Sequence, residues 1–433
     1  MSAGQRDTPP EENRRALWSW ALYDWANSAF FTIILTFIFA RYFSESVIQN
    51  EVAGTEAWGN IVGLSGLAVA ILAPILGAIA DQNGRRKPWL ITFTLLCVFA
   101  TAMLWFVAPG SGDLWFAAFW VSLGILGAEC AFIFYNAMLP DLASPQRVGR
   151  WSGWAWGLGY VGGVTCLVVA LFGFIEGNTD WLGLDRDNLE HVRATFVLVA
   201  IWYLLFSLPA FFLIPDQPSR GMKMMPAVRA GLVQLRESIR QVRKYRIIVR
   251  FLIARMLYTD GLATIFTFGG VYAAGTFGMN QTQVLQFAIA LNITSGLGAF
   301  AFSWVDDAIG GRNTVLLSLV GLTLSALAIL VVTDPLWFLV FGMTLGIFVG
   351  PLQSASRSYM ARVAPPHLQT QMFGLFAFSG KATAFMGPLL VGWVTAISGS
   401  QRWGMSTILA FLLIGFVLML TIPPAREVAH RER

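Results

Sequence analysis

Five ionisable side chains stand inside long apolar runs of this 433-residue chain: Asp24, Glu129, Arg255, Asp260 and Lys381. A charge in hydrocarbon is costly, so such residues face a bundle interior or a water-filled cavity, where they pair, bind a solute or carry protons. A carboxylate at mid-depth can trade a proton against a bound solute, because desolvation favours its neutral form and a nearby cation its charged one. Glu129 is the first choice for that role and Asp24 the second, with Asp260 the third. The histidines, His191, His367 and His430, fall outside the apolar runs. At ~1.5 Å per residue, Glu129 lies roughly 13 Å and Lys381 roughly 16 Å from the same face. One charge of each sign at one depth makes either an ion pair or two poles for a zwitterion; a structural pair leaves the same trace in sequence. Arg255 and Asp260 are five apart, about 140° round a helix, so they do not face each other. Tyr258 is a better partner for Arg255, and a neighbouring span for Asp260.

The elements that position these groups are read from composition. Hydrophobic residues make up 56% of the chain and charged ones 12%, with a mean hydropathy of +0.63. A soluble domain carries about 25% charged residues, so this is an all-α polytopic membrane protein. Twelve spans are expected, at Leu17–Tyr42, 58–80, 89–107, 114–138, 151–173, 194–214, 247–273, 282–304, 314–332, 336–356, 371–396 and 403–422. Asp24, Asn27 and Ser28 share one face of the first. A polar arm precedes that span and no small-residue cleavage site succeeds a short apolar core, so no cleavable leader is read. Cys97, Cys130 and Cys166 fall in apolar runs and give no disulfide or metal spacing. Trp151, Trp154, Trp156 and Tyr160 cluster at the start of the fifth span, as an interfacial belt with packing or as an apolar wall for a solute.

Charge orients the spans. Of 29 Lys and Arg, 23 fall on the side of the N-terminus and only Arg41, Arg186, Arg193 and Arg402 opposite, while Arg255 and Lys381 lie within spans. That bias places both termini in the cytoplasm. The longest loop on the other side, 174–191, is acidic, with Glu176, Asp180, Asp185, Asp187 and Glu190. The chain divides into five regions: an arm at 1–15, a six-helix bundle at 16–214, a linker at 215–246, a second bundle at 247–422 and a tail at 423–433. In the linker, Val228, Leu232, Leu235, Ile239 and Val242 recur every three or four residues, with Arg229, Arg236, Arg240 and Arg243 on other faces. This is a basic amphipathic helix, lying in the headgroup region or across the inner faces of the bundles.

The halves echo each other. Gly77, Asp81, Gly84, Arg85, Arg86 and Lys87 after the second span correspond to Asp306, Asp307, Gly310 and Arg312 after the eighth. Asp141 and Pro145 leading to Gly153 correspond to Arg362 and Pro366 leading to Gly374. Parallel repeats of this kind place a solute site between the halves. Asp81 can accept hydrogen bonds from a helix N-terminus of the other half, and Arg85 or Arg86 can pair with Asp141, holding the inner side shut. Arg150, Asp307 and Arg312 are the counterpart set.

The twelve spans, the basic central loop and the Gly77–Lys87 motif resemble the major facilitator superfamily over the whole chain. Tyr23-Asp24-Trp25-Ala26-Asn27-Ser28-Ala29-Phe30 resembles a narrower branch, the autophagy-related vacuolar amino-acid effluxers and their bacterial relatives. Ser354–Arg357 and Met372–Gly374 fit that branch less specifically. The resemblance implies two pseudo-symmetric six-helix bundles and a secondary transporter of a small organic solute, with a lean to amino acids, working by rocker-switch alternating access. It implies that spans one, four, seven and ten line a central cavity and that eleven flanks it. Tyr23, Asn27, Glu129, Asn136, Tyr258 and Lys381 are then the expected solute contacts, and Arg255 and Arg357 further cavity charges. Tyr135, Asn292 and Gln353 are polar candidates at similar positions.

No nucleophile elbow, metal constellation or nucleotide loop is present, so no enzyme, metal or cofactor is expected. Expected partners are a solute, the lipid bilayer of a bacterial inner membrane, and a proton or other coupling ion. Nucleic acid is not among them, and the chain is read as a monomer. The competing readings are an exporter or flippase of drug- or lipid-like amphiphiles and a non-transporting membrane sensor or scaffold.

Overall fold

The computed structural model describes residues 12–110, 113–177, 183–222, 224–240 and 245–427. Asp180, Val242, Arg243 and His430 lie outside them. Among the described residues eleven helices are long and apolar enough to cross a membrane, and a further crossing is made in two pieces. They are α1 (Arg14–Val47), α2 (Glu51–Asn83), α3 (Lys87–Phe106), α4 (Leu114–Leu142), α5 (Val148–Ile175) and α6 (Glu190–Leu213). The second set is α7 (Arg246–Phe277), α8 (Gln281–Ile309), α9 (Gly311–Val331), α10 (Pro335–Val363), α11 (Gln369–Ser379 and Met386–Ser398) and α12 (Gln401–Leu420). The expected spans match in number and order, with ends displaced by several residues. Both described chain ends lie on one face, termed the inner face from the expected charge bias. At the outer face α2, α8 and α10 begin with side-chain caps from Asn50, Asn280 and Asp334, which satisfy otherwise orphaned amides.

α1–α6 and α7–α12 form two bundles that meet through α5 with α8 and α2 with α11. The repeat-related glycines make this close approach possible. A Cβ at Gly153 on α5 would lie 2.5 Å from the Ala299 carbonyl oxygen of α8, and one at Gly374 on α11 would lie 2.4 Å from that of Ala73 on α2. Small residues let backbones touch where no side chain fits. Towards the outer face the bundles part: Gly59, Gly63 and Gly66 on α2 and Gly392 on α11 have open space at the same position. The structure is therefore closed at its inner end and open at its outer one.

Two helices depart from regularity. α1 widens into a π-helical stretch over Phe30–Phe37. α11, expected as one continuous span, is interrupted over Gly380–Phe385. Pro388, early in its second piece, lacks an amide and crowds the carbonyl four residues before it, so a helix cannot run smoothly into it. Arg255 of α7 closes the first piece, donating through Nη1 to the Phe376 carbonyl (2.6 Å) and the Ser379 hydroxyl (2.7 Å).

The linker helix, Met224–Arg240, lies against the inner end of α2, with Gly231 seated on Ile79. Its Gln234 pairs with Gln82 and donates to Gln371 of α11 at 2.9 Å. It thus crosses onto both bundles. Upstream of it Asp216 accepts from Arg85 Nε at 2.9 Å and from the Arg86 and Lys87 amides at 3.1 Å each.

Candidate solute cavity between the bundles

A cavity of about 760 Å³ lies between the bundles. It is lined from α1, α4, α5, α7, α8, α10 and α11, among others. Its walls carry Phe31, Phe132, Trp156, Phe266 and Phe287 together with few ionisable groups: Asp24, Glu129, Arg255, Arg357 and Lys381. This mix of apolar wall and sparse, placed polar groups is the usual make-up of a small-molecule site.

The two charges assigned to one depth meet. Lys381 Nζ lies 2.7 Å from Glu129 Oε1, joining the interruption in α11 to α4 of the other bundle. Their side chains are 36% and 13% accessible, so the pair borders the cavity space. The interruption explains why Lys381 can reach it. Where the backbone is not helical, the side chain is freed from the helix face that would otherwise aim it, and unwound backbone at membrane depth is tolerated where it lines a cavity.

Below it, on the inner side, lies a second ion pair that is closed off. Arg357 Nη1 of α10 lies 3.0 Å from Asp24 Oδ2 of α1, with the side chains 1% and 4% accessible. Every donor group of the guanidinium is used: Nη1 also reaches Asn136 Oδ1 (3.2 Å), Nε the Ser152 hydroxyl (2.9 Å) and Nη2 the Ser152 carbonyl (2.7 Å). Tyr135 donates to the same Asp24 oxygen at 2.9 Å. The guanidinium also stands 4.9 Å from the centroid of the Trp20 ring, within cation–π range. A buried pair needs further hydrogen bonds to offset its desolvation, and here Asn136, Ser152 and Tyr135 supply them. Asp24 thus forms the cavity floor, on the inner side as its position in the span suggested. Arg357, expected only as a cavity charge, is its partner across the bundles.

The innermost layer holds the repeated loops. Asp81 accepts from the Thr370 and Gln371 amides at 3.0 and 2.8 Å, capping the N-terminus of α11 from the other bundle. Arg86, rather than Arg85, pairs with Asp141, and its Nε donates to the Thr370 hydroxyl at 2.8 Å. The counterpart repeats this. Asp307 accepts from the Arg150 amide at 3.0 Å, at the start of α5, and Asp306 lies 2.5 Å from Arg362. Arg312 departs from the expected pattern. Its guanidinium donates to the Ile422 and Leu420 carbonyls, within its own bundle, and links no two halves.

Other expectations separate in the same way. Asn27, Asn136, Tyr258, Gln353 and Asn292 line the cavity, and Tyr258 shares a hydrogen bond with Ser356 at 2.7 Å. Tyr23 does not. It is fully buried inside the first bundle, its hydroxyl 2.6 Å from that of Thr94 and 2.8 Å from that of Tyr203. Asp260 is also outside the lining: it is buried between α7 and the second piece of α11, and among the described residues neither carboxylate oxygen has a hydrogen-bond partner. Of the aromatic cluster, Trp156 and Tyr160 face the cavity, whereas Trp151 and Trp154 pack against Trp18, 5.3 and 5.5 Å between centroids. Ser152 was not foreseen. Its only sequence signal is a small hydroxyl beside Gly153 at a helix interface.

Comparison with known proteins agrees with this architecture. The family model described as "Vacuole effluxer Atg22 like" matches residues 60–150 and 144–431. An uncharacterized MFS-type transporter, YxiO, of Bacillus subtilis is 25% identical over 408 residues, covering 94% of each chain. Autophagy-related protein 22-1 of Aspergillus niger is 24% identical over 62% of this chain and 46% of its own length. Among solved structures, the transporter FucP in its outward conformation superposes with a TM-score of 0.73 at 13% identity, covering 95% of this chain and 99% of FucP. The proton:xylose symporter XylE gives 0.72 at 15%, covering 95% and 96%. With twelve crossings in two bundles, a cavity between them and a family match over most of its length, the chain belongs to the Atg22-like effluxer family of the major facilitator superfamily and is a secondary transporter.

Proposed function

We propose that this protein moves a small zwitterionic solute, of the amino-acid class, across a bacterial inner membrane by rocking between outward- and inward-open states, with both termini cytoplasmic. The observation that carries this reading is the Glu129–Lys381 pair: one charge from each bundle, bordering the cavity at mid-depth. A zwitterion's ammonium and carboxylate complement those two side chains, so a bound solute can replace the pair's mutual attraction with its own. Loss of a link between bundles at the moment of binding is what alternating access requires. The charge bias supports the orientation, and the name of the matching family supports efflux as the direction of transport.

Proton coupling rests on the same reading. Glu129 can accept a proton when solute draws Lys381 away, whereas Asp24 holds the closed inner layer and Asp260, free of any cation within salt-bridge distance among the described residues, can change protonation without breaking a bridge. Asp81, Arg86, Asp141, Arg150 and Asp307 serve as the inner gate. The test is solute counterflow in proteoliposomes against amino acids, peptides, sugar phosphates and lysolipids. Accumulation driven by amino acids supports the proposal; counterflow with lysolipids alone would replace it with amphiphile export, which the aromatic lining favours.

A further inference from the structure

A second recess, of about 460 Å³, opens at the inner end of the second bundle, away from the solute cavity. It lies where α7 begins, beside α9 and the end of α12. Arg246 and Arg250 of α7 and Arg312 of α9 line it, with Leu420, Ile422 and Glu427.

The arginines differ in how they are held. Arg312 is fixed: Nε and Nη2 donate to the Ile422 and Leu420 carbonyls, and Nη1 lies 2.9 Å from Asn313 Oδ1. Tyr359 secures the same turn by donating to the Pro423 carbonyl at 3.0 Å. Arg246 and Arg250 are exposed and, among the described residues, make no hydrogen bond or ion pair through their side chains. They stand one turn apart in the first turns of α7, whose leading amides have no side-chain cap. Cations at a helix N-terminus oppose the helix dipole, so this arrangement is unfavourable until an anion is placed among them. Glu427 supplies one carboxylate at the rim against three guanidinium groups, and none of these pairs with it within salt-bridge distance. Among the described residues the recess is short of negative charge.

Its depth in the fold says what kind of anion fits. It sits where α7 leaves the membrane, at headgroup level, and the apolar surface continues outward from it: Leu420 is 50% and Ile253, one turn above Arg250, 44% exposed. Basic recesses between spanning helices at this level suit phosphate-bearing headgroups, with acyl chains lying along the apolar flank. We infer that the recess lined by Arg246, Arg250 and Arg312 is a binding site for a phosphate group, supplied by an anionic phospholipid of the adjoining leaflet.

The experiment uses the purified full-length protein in mild detergent, titrated with phosphatidylglycerol, with phosphatidylcholine and with inorganic phosphate, and read by bound lipid in native mass spectra and by melting temperature. The site predicts saturable retention of phosphatidylglycerol over phosphatidylcholine. It also predicts an affinity about tenfold or more weaker in Arg246→Gln/Arg250→Gln, since each basic residue near an anionic surface contributes on the order of a further several-fold. Arg229→Gln, an exposed arginine of the linker helix, should leave retention unchanged and guards against a general loss of surface charge. Equal retention by the double variant, or equal retention of both lipids, overturns the site. Stabilisation by inorganic phosphate matching that of phosphatidylglycerol would keep the phosphate chemistry and overturn the lipid as its source.

Discussion

Arg357 of α10 and Asp24 of α1 are 3.0 Å apart, beneath the cavity, and are separated by 333 positions along the chain. The guanidinium's four hydrogen bonds all go to the first bundle, to Asp24, Asn136 and Ser152. This pair is therefore an interaction between the bundles in the inner-closed state.

Removing either partner leaves a buried charge alone, at a cost of about 3–5 kcal/mol in the state that buries it. Arg357→Gln and Asp24→Asn should each shift the population towards inner-open, seen as longer distances between spin labels on the inner ends of α5 and α8. The double variant should recover part of the shift. Unchanged distances in both single variants would remove the pair from the closure.

Lys381→Gln should weaken carboxylate-bearing solutes by about 10- to 100-fold, the range for losing one charge-assisted hydrogen bond of ~1.5–3 kcal/mol. Uncharged analogues should change little. Glu129→Gln should abolish flux driven by a pH gradient and leave solute exchange running, at a weakened affinity for ammonium-bearing solutes. Counterflow with and without the gradient separates the two, and full gradient-driven flux in Glu129→Gln and Asp24→Asn alike would overturn the coupling assignment.

Gly374→Leu puts a side chain where even a Cβ meets the Ala73 carbonyl at 2.4 Å. The inner ends of α2 and α11 should then fail to close, transport should fall to background, and the protein should remain folded in its inner-open form. A variant that is monodisperse, by size-exclusion chromatography, yet transports normally would show that this approach is dispensable.

Glu12 supplies a pH test outside the membrane. Burial pushes its carboxyl up, but hydrogen bonds from the Ser144 side chain and amide and the Arg147 guanidinium outweigh that and hold it below the ordinary value of 4.5. A depressed carboxyl contributes stability above its unfolded value and loses it as pH falls through the folded one. Glu12→Gln should therefore lower the melting temperature at neutral pH, by the equivalent of about 1 kcal/mol or less for a partly exposed pair. The difference from the parent should shrink as pH falls from the unfolded value of about 4.3 and vanish once it passes the depressed folded one. A constant difference across pH would place the effect in packing.

Sequence by itself determined the features that local order dictates. Apolar length set the crossings, Lys and Arg placement set the expected orientation, and the repeated Asp-Gly-Arg loops marked which residues return to a helix N-terminus of the other half. Asp81 did so from the last turn of α2, which lies against the start of α11. Which charges meet was decided only by packing. Lys381 and Glu129 were matched by depth, a one-dimensional quantity, and that was enough. Asp24 and Arg357 meet because α10 packs on α4 and α5 beside α1, from where the long guanidinium side chain reaches Asp24, and no spacing along the chain encodes that approach. The interruption in α11 escaped hydropathy averaging, since its Gly, Ala and Thr residues are as apolar as a helix would be; only Pro388 hinted at it. Arg312 turned to the carbonyls at the end of α12 and Asp260 turned away from the cavity for the same reason. Residue type says that a buried charge must be answered, while tertiary structure decides by what.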